Sequence, residues 1–213
     1  MSRHQSEAIT LRTYPFSEAH KIAVFFTRSF GKLRGIAHGA RKSGGRFGGS
    51  LEPLNYVRLS FHRKEHQELA VIQSCEVLRV FPRGSATLES TLHLSYFAEL
   101  LLEFSREQEE SERLFRLALA VLAAVGSVPI SLLSRYLELW TLRLEGVLPD
   151  LDGELSRPLA ARAKSFMRVP PASLEAECLT LEEDKTLARF SEKLLEYHLE
   201  KPLKTRKLLK ELL

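Results

Sequence analysis

Apolar and polar residues alternate with a period of two in parts of the first 82 residues, notably residues 8–14 and 32–38, which is the pattern of half-buried β-strands. Turn-forming residues divide this region into five short runs rich in β-branched, aromatic and other apolar residues. The predicted strands span residues 8–14, 22–27, 32–38, 56–61 and 69–72, the last continuing towards residue 81. Five short strands in so small a region predict a barrel or a sandwich.

After Pro82 the apolar residues recur every three to four positions, which predicts helices. Three helices are expected over residues 85–104, 111–126 and 129–146, with Ser85 as the N-cap of the first and Pro129 in the first turn of the third. The second and third are apolar around much of their circumference. We therefore expect them at the centre of a bundle.

Residues 147–181 are irregular and contain four prolines. A last amphipathic helix includes residues 187–195, and it should end or kink at Pro202, whose ring cannot continue the helical hydrogen bonds. The predicted fold class is therefore α+β. A barrel domain at residues 1–82 is followed by an all-α helical domain at residues 83–213.

The connection after the third strand, residues 39–53, holds five glycines and three cationic residues. Glycine amides can approach phosphate oxygens closely, and Arg41, Lys42 and Arg46 add positive charge. Phe47 offers a ring on which a nucleobase could stack. The connection is not a P-loop, because it lacks the required Lys-Ser/Thr pair. A five-stranded barrel with this loop fits the OB fold, which commonly binds oligonucleotides; the alternative is a flexible hairpin with incidental charge.

Positive charge is concentrated in the predicted barrel. Residues 1–82 hold 13 Lys and Arg against 6 Glu and no Asp, whereas residues 83–213 hold 18 Lys and Arg against 21 acidic residues. This asymmetry is typical of a polyanion-binding module joined to a domain with a different task. The candidate phosphate contacts are Lys32, Arg34, Arg41, Lys42 and Arg46, with Arg12 and Arg58 as weaker candidates.

The chain shows no convincing pattern of catalytic or metal-binding residues. Residues 62–66, His-Arg-Lys-Glu-His, match an H-x-x-E-H zinc pattern, but they fall where the fourth and fifth strands must turn. We interpret them as a solvated hairpin tip. Cys75 and Cys178 lie far apart and form no Cys-x-x-Cys pair. We therefore expect no enzymatic activity, no cofactor and no metal.

The sequence shows neither a secretory signal nor a transmembrane segment. The first residues lack the apolar core of such a signal. The longest uncharged apolar run, Leu117–Val125, is far shorter than the roughly 20 residues that a bilayer-spanning helix needs. These features predict a cytoplasmic protein without a membrane partner.

Several stretches resemble the RecO family of bacterial DNA repair proteins. The most specific reads G-K-x-R-G-x-A-x-G-A-R-K, and the helical half agrees more loosely. The stretches that carry the resemblance are Ile9–Tyr14, Ser17–Lys21, Phe26–Thr27, Gly31–Lys42, Leu51–Pro53, Leu137–Leu151 and Leu203–Arg206.

The resemblance implies an OB-fold barrel followed by a helical domain, in a nucleoid-associated recombination mediator. It also implies that the protein binds single- and double-stranded DNA, anneals complementary strands, and works with RecR and single-strand-binding protein to help load RecA. Many family members carry four zinc-binding cysteines after the Pro-Asp-Leu segment. Here that segment continues Asp152-Gly-Glu-Leu, so we expect residues 152–180 to hold their shape without zinc or to be partly loose.

The helical half is the better candidate for binding a protein partner, because its net charge is negative. The resemblance implies that it binds the acidic C-terminal tail of single-strand-binding protein, which ends in hydrophobic residues. Four arginines could pair with such a tail, and the sequence does not choose among them. These are Arg113, Arg116, Arg135 and Arg143.

Two other classes of function stay open. An OB-fold RNA-binding protein of translation or RNA metabolism would show the same distribution of charge. A hydrolase or nuclease would need convergent acidic residues or metal ligands, which the sequence does not offer. DNA binding is therefore the leading hypothesis, and RNA binding is the alternative.

Overall fold

A computed structural model gives the structure of the protein over residues 2–42, 47–63, 67–82, 84, 87–176 and 179–212. Within these residues it has five strands in a closed barrel and seven α-helices. The predicted α+β class is confirmed, with the barrel first in the chain and the helices after it.

The contacts divide the chain into two compact units. The first comprises residues 1–81 and 98–115, and the second comprises residues 82–97 and 116–213. The first unit thus contains the predicted barrel domain together with a later segment. The predicted domain boundary at residue 82 stays a prediction.

The barrel is built from five strands: β1 (Ser2–Phe16), β2 (His20–Thr27), β3 (Gly31–Ala37), β4 (Tyr56–Arg63) and β5 (Ala70–Arg79). Around the barrel they follow the order β1-β2-β3-β5-β4. All neighbouring strands are antiparallel except β3 and β5, which are parallel. This arrangement is the OB fold that the sequence predicts.

The interior of the barrel follows from the period-two alternation of its strands. In β3 every second residue is buried, and Leu33 points into the core. Phe25, Leu59 and Ile72 meet it from the other strands and have no exposed surface. Burial of such large apolar side chains stabilises the barrel by about 2 kcal/mol each.

A β-bulge in β1 sets which residues face outward. Thr10 pairs with Phe25 on β2. Two residues later Arg12 pairs with Val24, so Leu11 is an extra residue in β1. Because side chains alternate between the two faces, one extra residue reverses the orientation of everything that follows it. Arg12 and every second residue after it therefore point away from the barrel core.

Residues 98–115 lie against the barrel at the start of β3. The backbone N–H of Lys32 donates to the carbonyl oxygen of Arg106 at 2.8 Å. A Cβ atom on Gly31 would lie 2.3 Å from the carbonyl oxygens of Arg106 and Glu109, and Gly31 has a φ of +60°. Only glycine satisfies both conditions, so the close approach of the two backbones depends on this residue.

Arg28, in the β2–β3 turn, ties the same segment to the barrel. Its Nη1 lies 2.7 Å from Glu7 of β1, and its Nη2 lies 2.6 Å from Glu112. The bond from Arg28 holds the pKa of Glu7 below its ordinary value. Burial, followed by a hydrogen bond to Glu7, raises the pKa of Tyr56 to about 12.

The helices are α1 (Leu88–Phe104), α2 (Glu112–Ala124), α3 (Ile130–Leu144), α4 (Leu151–Glu154), α5 (Arg157–Phe166), α6 (Leu181–Leu199) and α7 (Lys204–Leu212). The three helices predicted over residues 85–146 are confirmed as α1, α2 and α3, although Ser85 lies outside the described residues. The last predicted helix is α6, which ends at Glu200 in the left-handed conformation, just before Pro202. Beyond Pro202 the chain forms α7.

Helix α3 is the core of the second unit, because ten of its residues are buried. Two of these are charged. Glu138 is fully buried, and its Oε1 accepts hydrogen bonds from Tyr96 at 2.8 Å and from Arg206 at 2.6 Å. Arg135 adds a third contact to the same oxygen at 3.2 Å. Glu138 therefore connects α1, α3 and α7 through one carboxylate.

The ring of His93 lies beside this cluster and is held neutral. Its Nδ1 lies 2.6 Å from the Ser134 hydroxyl, which donates to the carbonyl oxygen of Ile130. Burial, and then the charges of Arg135 and Arg206, lower the pKa of His93 to about 4. The unfolded chain therefore binds a proton that the folded one does not between roughly pH 6.5 and 4, and stability falls over that window as the pH is lowered.

The interpretation of residues 147–181 as irregular is wrong for much of the segment. It contains α4, α5 and a short 3-10 helix at Pro171–Ala176. The Asp150 side chain caps α4, and Lys164 of α5 reaches both Asp150 at 3.3 Å and Asp152 at 2.7 Å. Helices this short hold too few apolar positions for a helical period to be visible in the sequence.

We predict that replacing Arg206 with Ala lowers the free energy of unfolding by about 3 kcal/mol, because it leaves the buried charge of Glu138 only partly compensated. Urea titrations followed by circular dichroism measure the change. Lys207→Ala is the matched control, since that side chain is exposed on the same helix, and its effect should stay within about 0.5 kcal/mol. Equal effects of the two substitutions would contradict the role given to the cluster.

Candidate nucleic-acid interface

Three antiparallel strands bring two of the predicted cationic residues into one row on the outside of the barrel. Arg12 of β1 lies opposite Val24 of β2, and Val24 lies opposite Arg34 of β3. Side chains that are directly opposite in antiparallel strands share a face, with Cβ atoms about 5 Å apart. The two arginines therefore flank Val24 on the outer side of the barrel, where this valine is only 5% exposed.

The next two rows on this surface carry aromatic and apolar side chains. Tyr14 pairs with Ile22, which pairs with Ile36. Phe16 pairs with His20, whose ring contacts that of His38 with centroids 4.7 Å apart. We call this surface the β1–β3 face. It comprises Arg12, Tyr14, Phe16, His20, Ile22, Val24, Arg34, Ile36 and His38.

Arg34 is held in place by its neighbours and remains positively charged. Hydrogen bonding with Tyr14 is the largest cause that raises the pKa of Arg34, and the charges of Glu107 and Glu68 act in the same direction. The Glu68 carboxylate lies 4.0 Å away, and its side chain is 89% exposed. An ion pair so long and so exposed contributes little, so it leaves Arg34 able to bind an anion.

The first part of the glycine-rich connection is fixed against the turn between β1 and β2. The N–H of Gly39 donates to Nδ1 of His20 at 3.0 Å. Arg41 donates twice to this turn, from its N–H to Ala19 at 3.1 Å and from Nη1 to the carbonyl oxygen of Ser17 at 2.7 Å. These bonds hold Arg41 at the Phe16 end of the β1–β3 face.

Two further predicted phosphate contacts in this connection are Lys42 and Arg46. Lys42 is exposed and follows Arg41 directly. Arg46 lies outside the described residues, so its place in the interface stays a prediction. Arg41 and Lys42 add two cations next to the β1–β3 face.

Two other predicted phosphate contacts lie elsewhere on the barrel. The Nζ of Lys32 donates to the carbonyl oxygen of Leu102 at 3.0 Å, which places its charge at the C-terminal end of α1. Arg58 lies in a cross-strand row between Glu7 and Glu76, with the Glu76 carboxylate at 3.0 Å. The ammonium group of Lys32 already donates to a carbonyl oxygen at a helix C-terminus. Arg58 is flanked by carboxylates that would repel a phosphate.

Phe47 is not placed where a base could stack on it. Its side chain is 2% exposed and packs in the barrel core, together with Leu51 and Phe61. The backbone turns into a short 3-10 helix at Gly48–Leu51, which follows Phe47 directly. The prediction of a stacking role is corrected on this point: the ring closes the interior of the barrel.

Tyr14, Phe16 and His20 belong to the β1–β3 face but were not among the predicted site residues. Phe16 is 45% exposed. The alternation of residues 8–14 predicts a strand that ends before Pro15, so it does not include Phe16 or His20. The sequence also gives no sign of the bulge at Leu11, which decides which residues of the second half of β1 face outward.

The second unit contains a cavity of about 570 Å³ beside α3. Its apolar lining includes Trp140, Leu148 and Met167, and its cationic lining includes Arg143 and Lys164. The guanidinium of Arg143 lies over the Trp140 ring, 5.2 Å from its centroid. A cavity lined by both apolar and cationic side chains suits a ligand that is both acidic and hydrophobic.

The four arginines predicted to bind a partner have different surroundings in the structure. Arg143 lines this cavity, whereas Arg113 and Arg116 are exposed on α2 and do not. Arg135 is only 3% exposed and contacts Glu138 and Asp184. The prediction that Arg135 could bind a partner's tail is therefore corrected, because its charge is used within the fold.

Among the described residues, no group of three His, Cys, Asp or Glu side chains is arranged to hold a metal ion. His62 lies near the end of β4, while the rest of the H-x-x-E-H stretch from residue 64 lies outside the described residues. Burial raises the pKa of Cys75 to about 11, so the thiol stays protonated. The described helices include none with the length and apolarity to cross a bilayer.

Two family models match the chain in succession. "Recombination protein O N terminal" matches residues 1–81, and "Recombination protein O C terminal" matches residues 85–156. Together they cover the barrel strands and helices α1 to α4.

Curated relatives match over a similar part of the chain. A protein named "DNA repair protein RecO" from Koribacter versatilis is 42% identical over 147 residues, which is 69% of this chain and 60% of the relative. The protein of that name from Syntrophus aciditrophicus is 39% identical over 150 residues, 70% of this chain and 58% of the relative. The chain thus spans about 60% of the length of these relatives.

We predict that Phe47→Ala destabilises the protein by about 3–5 kcal/mol, because it opens a cavity in the barrel core. Phe47→Leu should cost less, since most of the buried volume is kept. Thermal and urea unfolding measure both. A Phe47→Ala protein that is as stable as the wild type would show that the ring is not part of the core.

Proposed function

This chain belongs to the RecO family, and we propose that it acts in DNA repair and homologous recombination by binding single- and double-stranded DNA. The observation that supports DNA binding most directly is the cross-strand row of Arg12 and Arg34, with Arg41 and Lys42 beside it. The cations come from three parts of the chain and share one region of the barrel.

Binding of this kind depends on charge and does not read sequence. Guanidinium and ammonium groups neutralise phosphates and release the counterions condensed on the nucleic acid. Neutralising two complementary strands lowers their mutual repulsion, which favours annealing without nucleotide hydrolysis. We therefore propose a non-enzymatic mediator that anneals strands and, with RecR and single-strand-binding protein, assists the loading of RecA.

The two predicted domains receive different tasks in this proposal. Residues 1–82 bind DNA, and residues 83–213 bind protein partners. Arg46 is included among the DNA contacts on its position in the sequence alone.

We propose the cavity beside α3 as the site for the C-terminal tail of single-strand-binding protein. Arg143 and Lys164 can pair with the acidic residues of such a tail, while Trp140 and Met167 contact its hydrophobic end. Lys164 already contacts Asp150 and Asp152, so Arg143 is the better candidate for the principal charge contact.

We predict that the double substitution Arg12→Gln and Arg34→Gln weakens binding to all DNA sequences alike. With about four phosphate contacts, log affinity for single strands should fall with log salt at a slope of about −3, and the variant should show about −1.5. If the affinities of the two proteins converge near 1 M salt, this difference in slope corresponds to roughly a 30-fold loss of affinity at 0.1 M salt. Fluorescence anisotropy over a series of salt concentrations measures both quantities.

The matched control for this experiment is Arg58→Gln, which removes an exposed arginine from a neighbouring part of the same barrel. Its affinity and salt slope should match the wild type. An equal loss in the control and in the double variant would mean that the β1–β3 face is not the site. Single-stranded RNA in a parallel titration tests the alternative function, which tighter binding to RNA than to DNA would favour.

We predict that Arg143→Gln weakens binding of a labelled acidic, hydrophobic-ended tail peptide to the full chain by about tenfold, because it removes a charge-assisted contact. Arg113→Gln is the control, as an exposed arginine that does not line the cavity. Isothermal titration calorimetry measures both. The absence of saturable peptide binding, or equal losses in the two variants, would contradict the proposed site.

A further inference from the structure

We propose that Phe16 is a stacking platform for unpaired nucleobases, and that it makes the β1–β3 face select single-stranded over double-stranded DNA. This inference rests on the proposed DNA-binding function and assigns a specific role within it. The role is that of a residue that distinguishes strands with free bases from strands whose bases are already paired.

The position of Phe16 within the face is the first argument. It is the last residue of β1, its side chain is 45% exposed, and it shares a face with Arg12 and Tyr14 because all three follow the bulge at alternate positions. Single exposed apolar side chains are common on protein surfaces. Here the exposed ring lies in the same small surface as the cationic row.

The neighbours of Phe16 are the second argument. Across the strand pair it meets His20, whose ring contacts His38 edge-on. Along the strand, Tyr14 lies two residues away, and its interaction with Arg34 raises the pKa of that guanidinium. Aromatic rings next to cations form the usual surface for single strands, since the bases stack on the rings while the phosphates meet the charges.

The rigidity of the turn that carries Phe16 is the third argument. Ser17, the next residue, has a φ of +58°, and its carbonyl oxygen accepts a hydrogen bond from Arg41. The bonds from Gly39 to His20 and from Arg41 to Ala19 brace the turn from the other side. A ring fixed on a braced turn loses little conformational freedom on binding, and a cation is held one residue away from it.

Stacking predicts selectivity because the two ligands expose different surfaces. In a single strand the faces of the bases are available to an aromatic ring. In a duplex they are stacked on one another, so only phosphates, sugars and base edges can be reached. Loss of the ring should therefore reduce binding to single strands and leave duplex binding, which depends on charge, almost unchanged.

The experiment uses the full chain and three fluorescent ligands at one salt concentration: a thymidine oligomer, an abasic oligomer of the same length, and a duplex. Phe16→Ala should weaken binding to the thymidine oligomer by about tenfold and change the other two less than about twofold. Phe16→Tyr should retain binding because it keeps an aromatic face, whereas Phe16→Leu should behave like Phe16→Ala. Circular dichroism verifies that each variant is folded, and the Tyr and Leu variants decide the outcome if the Ala variant is not.

The possible failures are distinguishable. If Phe16→Ala weakens all three ligands equally, or none, or if Phe16→Leu binds as well as the wild type, the stacking role is wrong while the proposed DNA-binding function stands. If the wild-type protein binds none of the ligands, the proposed function itself is contradicted.

Discussion

The surface that we assign to DNA depends on one constraint, the extra residue at Leu11 of β1. Without that bulge Arg12 would lie opposite Ala23, a core residue, and the polar end of β1 would face the barrel interior. With it, the same stretch contributes a row of outward side chains beside those of β2 and β3. Because of the bulge, alternate residues in the first half of β1 pack in the core, whereas alternate residues in the second half lie on the proposed interface.

The fold also gives the cationic residues of the barrel different roles. Lys32 and Arg34 lie two residues apart on the same face of β3, yet Lys32 donates to the end of α1 while Arg34 remains on the open surface. Arg28 is likewise used to tie Glu112 to the barrel. Net charge alone overstates the size of an interface, because part of that charge holds the first unit together.

The sequence predicts the fold class, the five strands and the longer helices, because these depend on apolar periodicity over many residues. It does not predict that Phe47 is buried, since a ring in a glycine-rich loop can point inward or outward. Nor does it separate Arg58 from Arg12, because the acids beside Arg58 come from β1 and β5. Arg206 illustrates the same limit: the sequence does not show whether the basic C-terminal stretch binds DNA or packs on the helices, because the partner of Arg206 is Glu138, 68 residues earlier.

Photo-crosslinking with a single strand that carries 5-iodo-deoxyuridine tests the central claim most directly, because it maps contacts without altering the protein. The account predicts that the crosslinked peptides, identified by mass spectrometry, contain residues of the β1–β3 face or the adjoining residues 39–42. Crosslinks confined to residues 116–213, or to the row around Arg58, would contradict it.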